Sequence, residues 1–207
     1  MTGHYIAFEG IEGTGKSTIA ARLAGYLEQR GIDVIRVREP GGTATGERIR
    51  QVLLDPEGSV APWSEALLFA SARAQLAAEL VGPALRSGKW VVSDRSVYSS
   101  LAYQGGGRGL GVAEVRRVNT PGLGDVWPEM VVLLRLDAVT GLSRQNDPDR
   151  IGAEGIDFQT TVGETFDQLA AAEPDLFAVV DASEDIAAVW TTVRDQVERR
   201  WTISSTA

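Results

Sequence analysis

The stretch YIAFEGIEGTGKST, Tyr5 to Thr18, decides the fold. It begins with an apolar run of aromatic and β-branched residues, the composition of a buried strand. A glycine-rich turn follows, and then Lys16, Ser17 and Thr18. Past the turn, Ile19, Leu23 and Leu27 recur at four-residue spacing, which predicts a helix over 16–30. Gly10, Gly15, Lys16 and Ser17 therefore fit G-x-x-x-x-G-K-[ST] in its proper setting, strand before and helix after. The glycines let the backbone curl with its N–H groups turned inward, toward an anion at the helix start. Lys16 would bridge the terminal phosphates and Ser17 would ligate Mg²⁺. The plainer alternative is a glycine turn with a solvated lysine. The loop alone does not separate kinases from GTPases, ATPases or nucleotide-sensing switches, although the chain lacks an N-K-x-D for reading guanine.

Outward from this stretch, strand and helix signals alternate. Apolar runs at 5–10, 33–39, 89–94, 130–136 and 176–182 read as strands. Helical patterns occupy 16–30, 64–87 and 183–201. Strands that are apolar throughout and separated by helices predict a parallel sheet covered on both faces, a three-layer α/β fold. Two polar, glycine-rich stretches, QGGGRGLG (104–111) and RQNDPDRIGAEGID (144–157), read as loops over the site. No linker or repeat divides the chain, so one domain over 1–207 is expected, with a frayed tail at 202–207.

Composition narrows the function. The 207 residues carry a net charge of −8, a poor match for a nucleic-acid backbone, so no polymer partner is expected. Mean hydropathy is −0.06 and no apolar stretch is long enough to cross a bilayer. The first residues lack a basic region and apolar core, so no signal peptide is expected there. There is no cysteine, which removes thiol chemistry and suits a cytoplasmic enzyme, and the one histidine, His4, cannot build a metal cluster.

In sheets of this kind ligands gather beyond the carboxyl ends of the strands. Asp94 ends the 89–94 run and could hold Mg²⁺ or its water shell. Arg95, next to it, could grip a second, separate phosphate. An Asp–Arg pair capping a strand is the alternative. Phe69 and Arg73 share a helix face, where a ring could stack on a base and a guanidinium bond its edge. A core Phe and a surface Arg would show the same spacing. Arg144 and Arg150 flank QNDPD, and mobile arginines closing over phosphates suit phosphoryl transfer. They could equally belong to a solvated loop.

Taken together the segments resemble the bacterial thymidylate kinase family. They are FEGIEGTGKS (8–17), REPGGT (38–43), ALLFASAR (66–73), Asp94-Arg95 followed by SSLAYQG (99–105), and DRIG (149–152) in place of D-R-I-E. The resemblance implies a five-stranded parallel sheet, a mobile lid over 144–157, a homodimer, and transfer of phosphate from ATP–Mg²⁺ to dTMP. It implies that Gly10, Ile11, Glu12, Gly13, Thr14 and Gly15 hold ATP with Lys16, Ser17 and Thr18. Glu12 would also meet the sugar 3′-hydroxyl. Phe69 would stack on thymine and Arg73 would bond its carbonyl. Arg95, helped by Arg38 and Gln104, would hold the monophosphate, beside Ser99. Tyr103 would lie under the sugar where a ribose hydroxyl would clash. Position 14 is Thr, so the arginine some relatives carry there is missing, and Arg144 and Arg150 would supply the transition-state charge.

The family pattern is broken at Ala72 (usually Asp), Ser96 (aromatic or His), Arg135 (Asp) and Gly152 (Glu). Ala72 is expected to leave Arg73 less firmly oriented, and Gly152 to loosen the lid hinge. These departures leave open a related pyrimidine deoxynucleotide as substrate, or a nucleotide-binding protein with little catalysis.

Overall fold

The computed structural model describes residues 3–145 and 149–203. The parts of the expected lid at 146–148 and of the expected tail at 204–207 lie outside the described residues. Five parallel strands form the sheet in the order β2-β3-β1-β4-β5. They are β1 (Tyr5–Glu9), β2 (Val34–Arg38), β3 (Trp90–Asp94), β4 (Met130–Arg135) and β5 (Phe177–Asp181). Each falls within a residue or so of the run that predicted it.

The alternation of side chains explains the layers. Ile6 and Phe8 of β1 and Val132 and Leu134 of β4 meet Leu23 and Leu27 of α1 (Lys16–Glu28) and Val193 and Val197 of α9 (Ile186–Arg200). On the opposite face, Val131 and Leu133 meet Val162 and Phe166 of α8 (Ile156–Ala172), and Tyr5 and Ala7 meet Leu76. Both faces are therefore apolar and covered, the condition for an all-parallel sheet.

Other helices are α2 (Ala44–Leu54), α3 (Pro62–Leu76), α4 (Gly82–Arg86), α5 (Val97–Ser100), α6 (Val112–Leu123) and α7 (Ala138–Ser143). The helix expected over 64–87 is not continuous. A π-type turn, Ala77–Val81, joins α3 to α4, and Gly82 N–H donates to Ala77 C=O, five residues back. Pro83 has no N–H to keep the normal ladder running, so the register widens just before it.

The expected loop at 104–111 needs correction. Leu101–Gly107 is a second π-type turn continuing α5, packed under α8. Its glycines serve close approach: a Cβ at Gly106 would lie 2.0 Å from Thr165 Oγ1, and one at Gly107 2.6 Å from Phe158 Cε2. Composition marks a loop here because glycines that open room for a neighbour look the same as glycines that loosen a chain. The second expected loop, 144–157, includes the start of α8.

Candidate active site

The phosphate loop runs from the end of β1 to the start of α1. Gly10, Gly13 and Gly15 all have positive φ, at 141°, 74° and 84°. A Cβ at Gly13 would lie 2.1 Å from the Gly141 carbonyl oxygen, so α7 can rest directly on the loop only because a glycine stands there. Inside the turn the Thr14 hydroxyl donates to the Ile11 carbonyl at 3.1 Å. The Lys16 ammonium donates to the same carbonyl at 2.6 Å and to Thr14 Oγ1 at 3.3 Å. Lys16 is buried, and burial pulls its pKa down to about 8, helped by the positive Arg95 and opposed by Glu12 and Asp94. Ser17 and Thr18 are exposed at the helix start, and the Ser17 hydroxyl donates to Asp94.

Across from the loop, β3 delivers Asp94 and then Arg95. Arg95 is the one non-glycine residue with positive φ among those described, at 72°, a conformation that costs energy and marks functional positions. It aims the guanidinium back across the sheet. Arg95 donates to Gly10 C=O at 3.3 Å, to Ser99 Oγ at 3.1 Å and to the Tyr103 hydroxyl at 3.3 Å, and it pairs with Glu12. Burial alone would push the Glu12 carboxyl up, but Arg95 and then Lys16 hold it below its usual value. Fully buried Glu9 props this corner from below: Ser96 N and Oγ donate to it, both at 2.7 Å, and Ser99 Oγ donates at 2.6 Å. Burial raises the Glu9 carboxyl's pKa. Ser96, a departure from the family pattern, thus contributes a hydroxyl bond to that carboxylate.

Between these walls lies a cavity of about 650 Å³. It is lined by Lys16, Ser17 and Asp94 together with Glu12, Arg38, Phe69, Arg95, Ser99, Tyr103 and Gln104. Most residues placed at the site from sequence therefore line one cavity; Gly10, Ile11 and Thr14 of the loop do not line it, nor do Arg73, Arg144 and Arg150. Arg73 lies beneath the cavity, buried, donating to Glu39 at 2.6 Å, Asn119 at 2.5 Å and the Ser96 carbonyl at 3.3 Å. The expectation that Ala72 leaves it loosely held is corrected: Glu39 and Asn119 supply the orientation. Arg150 donates to the Leu53 carbonyl at 2.9 Å and to buried Glu65 at 2.7 Å, while its neighbours Asp149 and Ile151 line the cavity. Arg144 lies by the phosphate loop, donating to the carbonyls of Gly13 at 3.5 Å and Ala182 at 3.3 Å. Arg38 is paired with Glu47 at 2.9 Å, and Gln104 Nε2 donates to Glu65 at 2.9 Å.

The remaining departures lie apart from the reacting groups. Arg135 pairs with Asp167 at 2.8 Å. Gly152 N–H donates to Asp149 Oδ1 at 2.8 Å, which ties the turn together where a looser hinge was expected. Sequence reading passed over Arg50, Ser100 and Glu65. Arg50 and Ser100 line the cavity, and the Ser100 hydroxyl is buried with no hydrogen-bond partner among the described residues. The adjacent Ser99 was the available signal for it.

A phosphate-loop turn and a separate arginine, Arg95, facing one cavity at the carboxyl ends of a β2-β3-β1-β4-β5 sheet are the arrangement of a P-loop phosphotransferase. The family model for thymidylate kinase matches residues 8–193. A thymidylate kinase from Bifidobacterium longum (strain DJO10A) is 44% identical over 203 residues, covering 96% of this chain and 98% of its own. One from Pelotomaculum thermopropionicum is 45% identical over 188 residues (88% and 87%), and one from Deinococcus radiodurans 42% over 201 (94% and 98%). The chain belongs to the thymidylate kinase family.

Proposed function

We propose that this protein transfers the γ-phosphate of ATP to dTMP, giving ADP and dTDP for dTTP synthesis. The observation that carries the reading is that one cavity is lined both by Lys16 and Ser17 of the phosphate loop and by Arg95, Phe69 and Tyr103. Phosphoryl transfer needs little covalent help; it needs donor and acceptor in line with their charges screened. In this reading the loop from Gly10 to Thr18 cradles the donor phosphates, with the Lys16 ammonium on the terminal ones. Arg95, pre-aimed by its strained backbone and by Glu12, holds the acceptor phosphate, aided by Arg38. Phe69 takes the base face, Gln104 offers polar atoms to the acceptor, and Tyr103 lies beneath the sugar. Arg73 acts from below the pocket floor. Arg144 adds positive charge on the donor side.

Ser17 and Asp94, a hydroxyl and a carboxylate already in contact, are an oxygen donor set that fits Mg²⁺, directly or through water. Mg²⁺ held this way would take its other ligands from the phosphates and water. When bound, Mg²⁺ would neutralise charge on the donor phosphates.

The reading includes one functional domain, a cytoplasmic setting, no nucleic-acid polymer partner and a homodimer. Among the described residues no helix is long and apolar enough to cross a membrane. Trp63 and Leu67, four apart on α3, are 43% and 51% exposed, an apolar strip suited to a second copy. Sedimentation at micromolar concentration is expected to give a dimer, and Leu67→Glu a monomer; a monomeric parent chain would refute this part.

The substrate is tested by steady-state ADP release with ATP–Mg²⁺ and dTMP, dUMP, UMP, dCMP or dGMP. Strong preference for dTMP is expected. Preference for another monophosphate would keep the chemistry and replace the substrate.

Lys16 gives the site a pH dependence. Its pKa is lowered to about 8 in the free protein, and a bound polyphosphate favours the ammonium and raises it again. Binding therefore takes up a proton above that pH, and ATP affinity should fall as pH rises through about 8, by up to about tenfold per unit. Calorimetric titrations from neutral to alkaline pH are expected to show this loss, and Lys16→Met should abolish it. A flat profile in the parent chain would contradict the role.

A further inference from the structure

Glu65 stands in the first turn of α3, fully buried, and the cavity does not include it. Its carboxylate oxygens face different parts of the site. Oε1 accepts from Gln104 Nε2 at 2.9 Å and from Arg108 Nε at 3.1 Å; Oε2 accepts from Arg108 at 3.2 Å and from Arg150 at 2.7 Å. Arg108 reaches on to Glu154 at 2.5 Å. The turn that carries Asp149 and Ile151 into the cavity wall is thus pinned at each end, at Arg150 by Glu65 and at Glu154 by Arg108. The same carboxylate that pins it fixes the amide of Gln104, on the acceptor side of the cavity.

A buried carboxylate needs a cation, and here the cations come from separate segments, the end of the second π-type turn and the 149–155 turn. A single scaffold pair would have satisfied the charge. The arrangement instead makes the position of one cavity wall depend on the other.

We propose that Glu65 is a positioning residue that couples the 149–155 turn to Gln104, so that the acceptor pocket and the turn adopt their working positions together. This rests on reading the cavity as the dTMP–ATP site. Among the described residues Glu65 makes its hydrogen bonds and ion pairs with Gln104, Arg108 and Arg150 rather than with the phosphate loop or Arg95, so its effect should be confined to the acceptor.

Glu65→Gln is isosteric but neutral. It is expected to raise the KM for dTMP and lower kcat/KM by roughly tenfold to a hundredfold, the range for losing charge-assisted hydrogen bonds. The KM for ATP should stay within about threefold. Hydrogen exchange at 149–155 should quicken, while the strands keep their protection. In an Arg150→Met background the same change should cost less, because the direct tie between Glu65 and the 149–155 turn is already gone while Gln104 and Arg108 remain. An unaltered KM for dTMP with unaltered exchange would overturn the proposal, as would an equal cost in both backgrounds. If Glu65→Gln fails to fold, Glu154→Gln gives the same reading at the half-buried outer pin: faster exchange at 149–155 supports the coupling and unchanged exchange overturns it. Exchange needs no turnover, so a parent chain that releases no ADP with dTMP would count against the functional reading while leaving this test decisive.

Discussion

Lys16→Ala should lower dTMP-dependent turnover by about a hundredfold to a thousandfold while the melting temperature holds or rises. The loss follows from removing the ammonium that screens the donor phosphates inside the cavity, where one preorganised charge or donor typically contributes ~10²–10³ in rate. The stability result follows from sign. The Lys16 pKa is lowered to about 8 from 10.5, so folding disfavours the ammonium, and at pH values below about 8 that penalty is fully present; it fades as pH rises toward the unfolded value. Alanine at the first position of α1 removes the penalty and suits a helix. Steady-state kinetics beside a thermal melt checks both halves. Near-normal turnover would remove Lys16 from the mechanism, and a collapse of the fold would make it structural.

Arg95→Ala should be as damaging to catalysis, by about a thousandfold in kcat/KM for dTMP, but through the acceptor, and it should also lower stability. Glu12 would lose the partner that holds its pKa down, and a partly buried carboxylate without its cation costs about 1–3 kcal/mol. Arg95→Lys should rescue little, because an ammonium cannot reproduce the planar fork that spans Gly10, Ser99, Tyr103 and Glu12. The KM for ATP should change far less than that for dTMP. Kinetics with each substrate varied separately decides the matter: equal damage to both KM values would make Arg95 a general prop of the loop.

Much of this molecule can be read in its sequence, for local physical reasons. The strands are short apolar runs bounded by polar residues, and the phosphate loop depends on glycines whose positive φ values are its function. Those signals lie within a few residues of each other. Signals that depend on partners distant in the chain stayed hidden. Gly106 looks like loop chemistry until Thr165 is found against it. Arg73 looks insecure beside Ala72 until Glu39 and Asn119 are found holding it. Arg150 looks like a free arginine of a lid until the buried Glu65, 85 residues away in sequence, is found beneath it. The left-handed backbone of Arg95 leaves no trace in composition, since nothing about arginine favours it.

The most direct measurement follows a label from [γ-³²P]ATP with Mg²⁺ and dTMP present. The label is expected in dTDP, with little inorganic phosphate and no release of label when dTMP is omitted. Label released to phosphate regardless of dTMP, or retained in ATP that remains bound, would contradict phosphate transfer to dTMP.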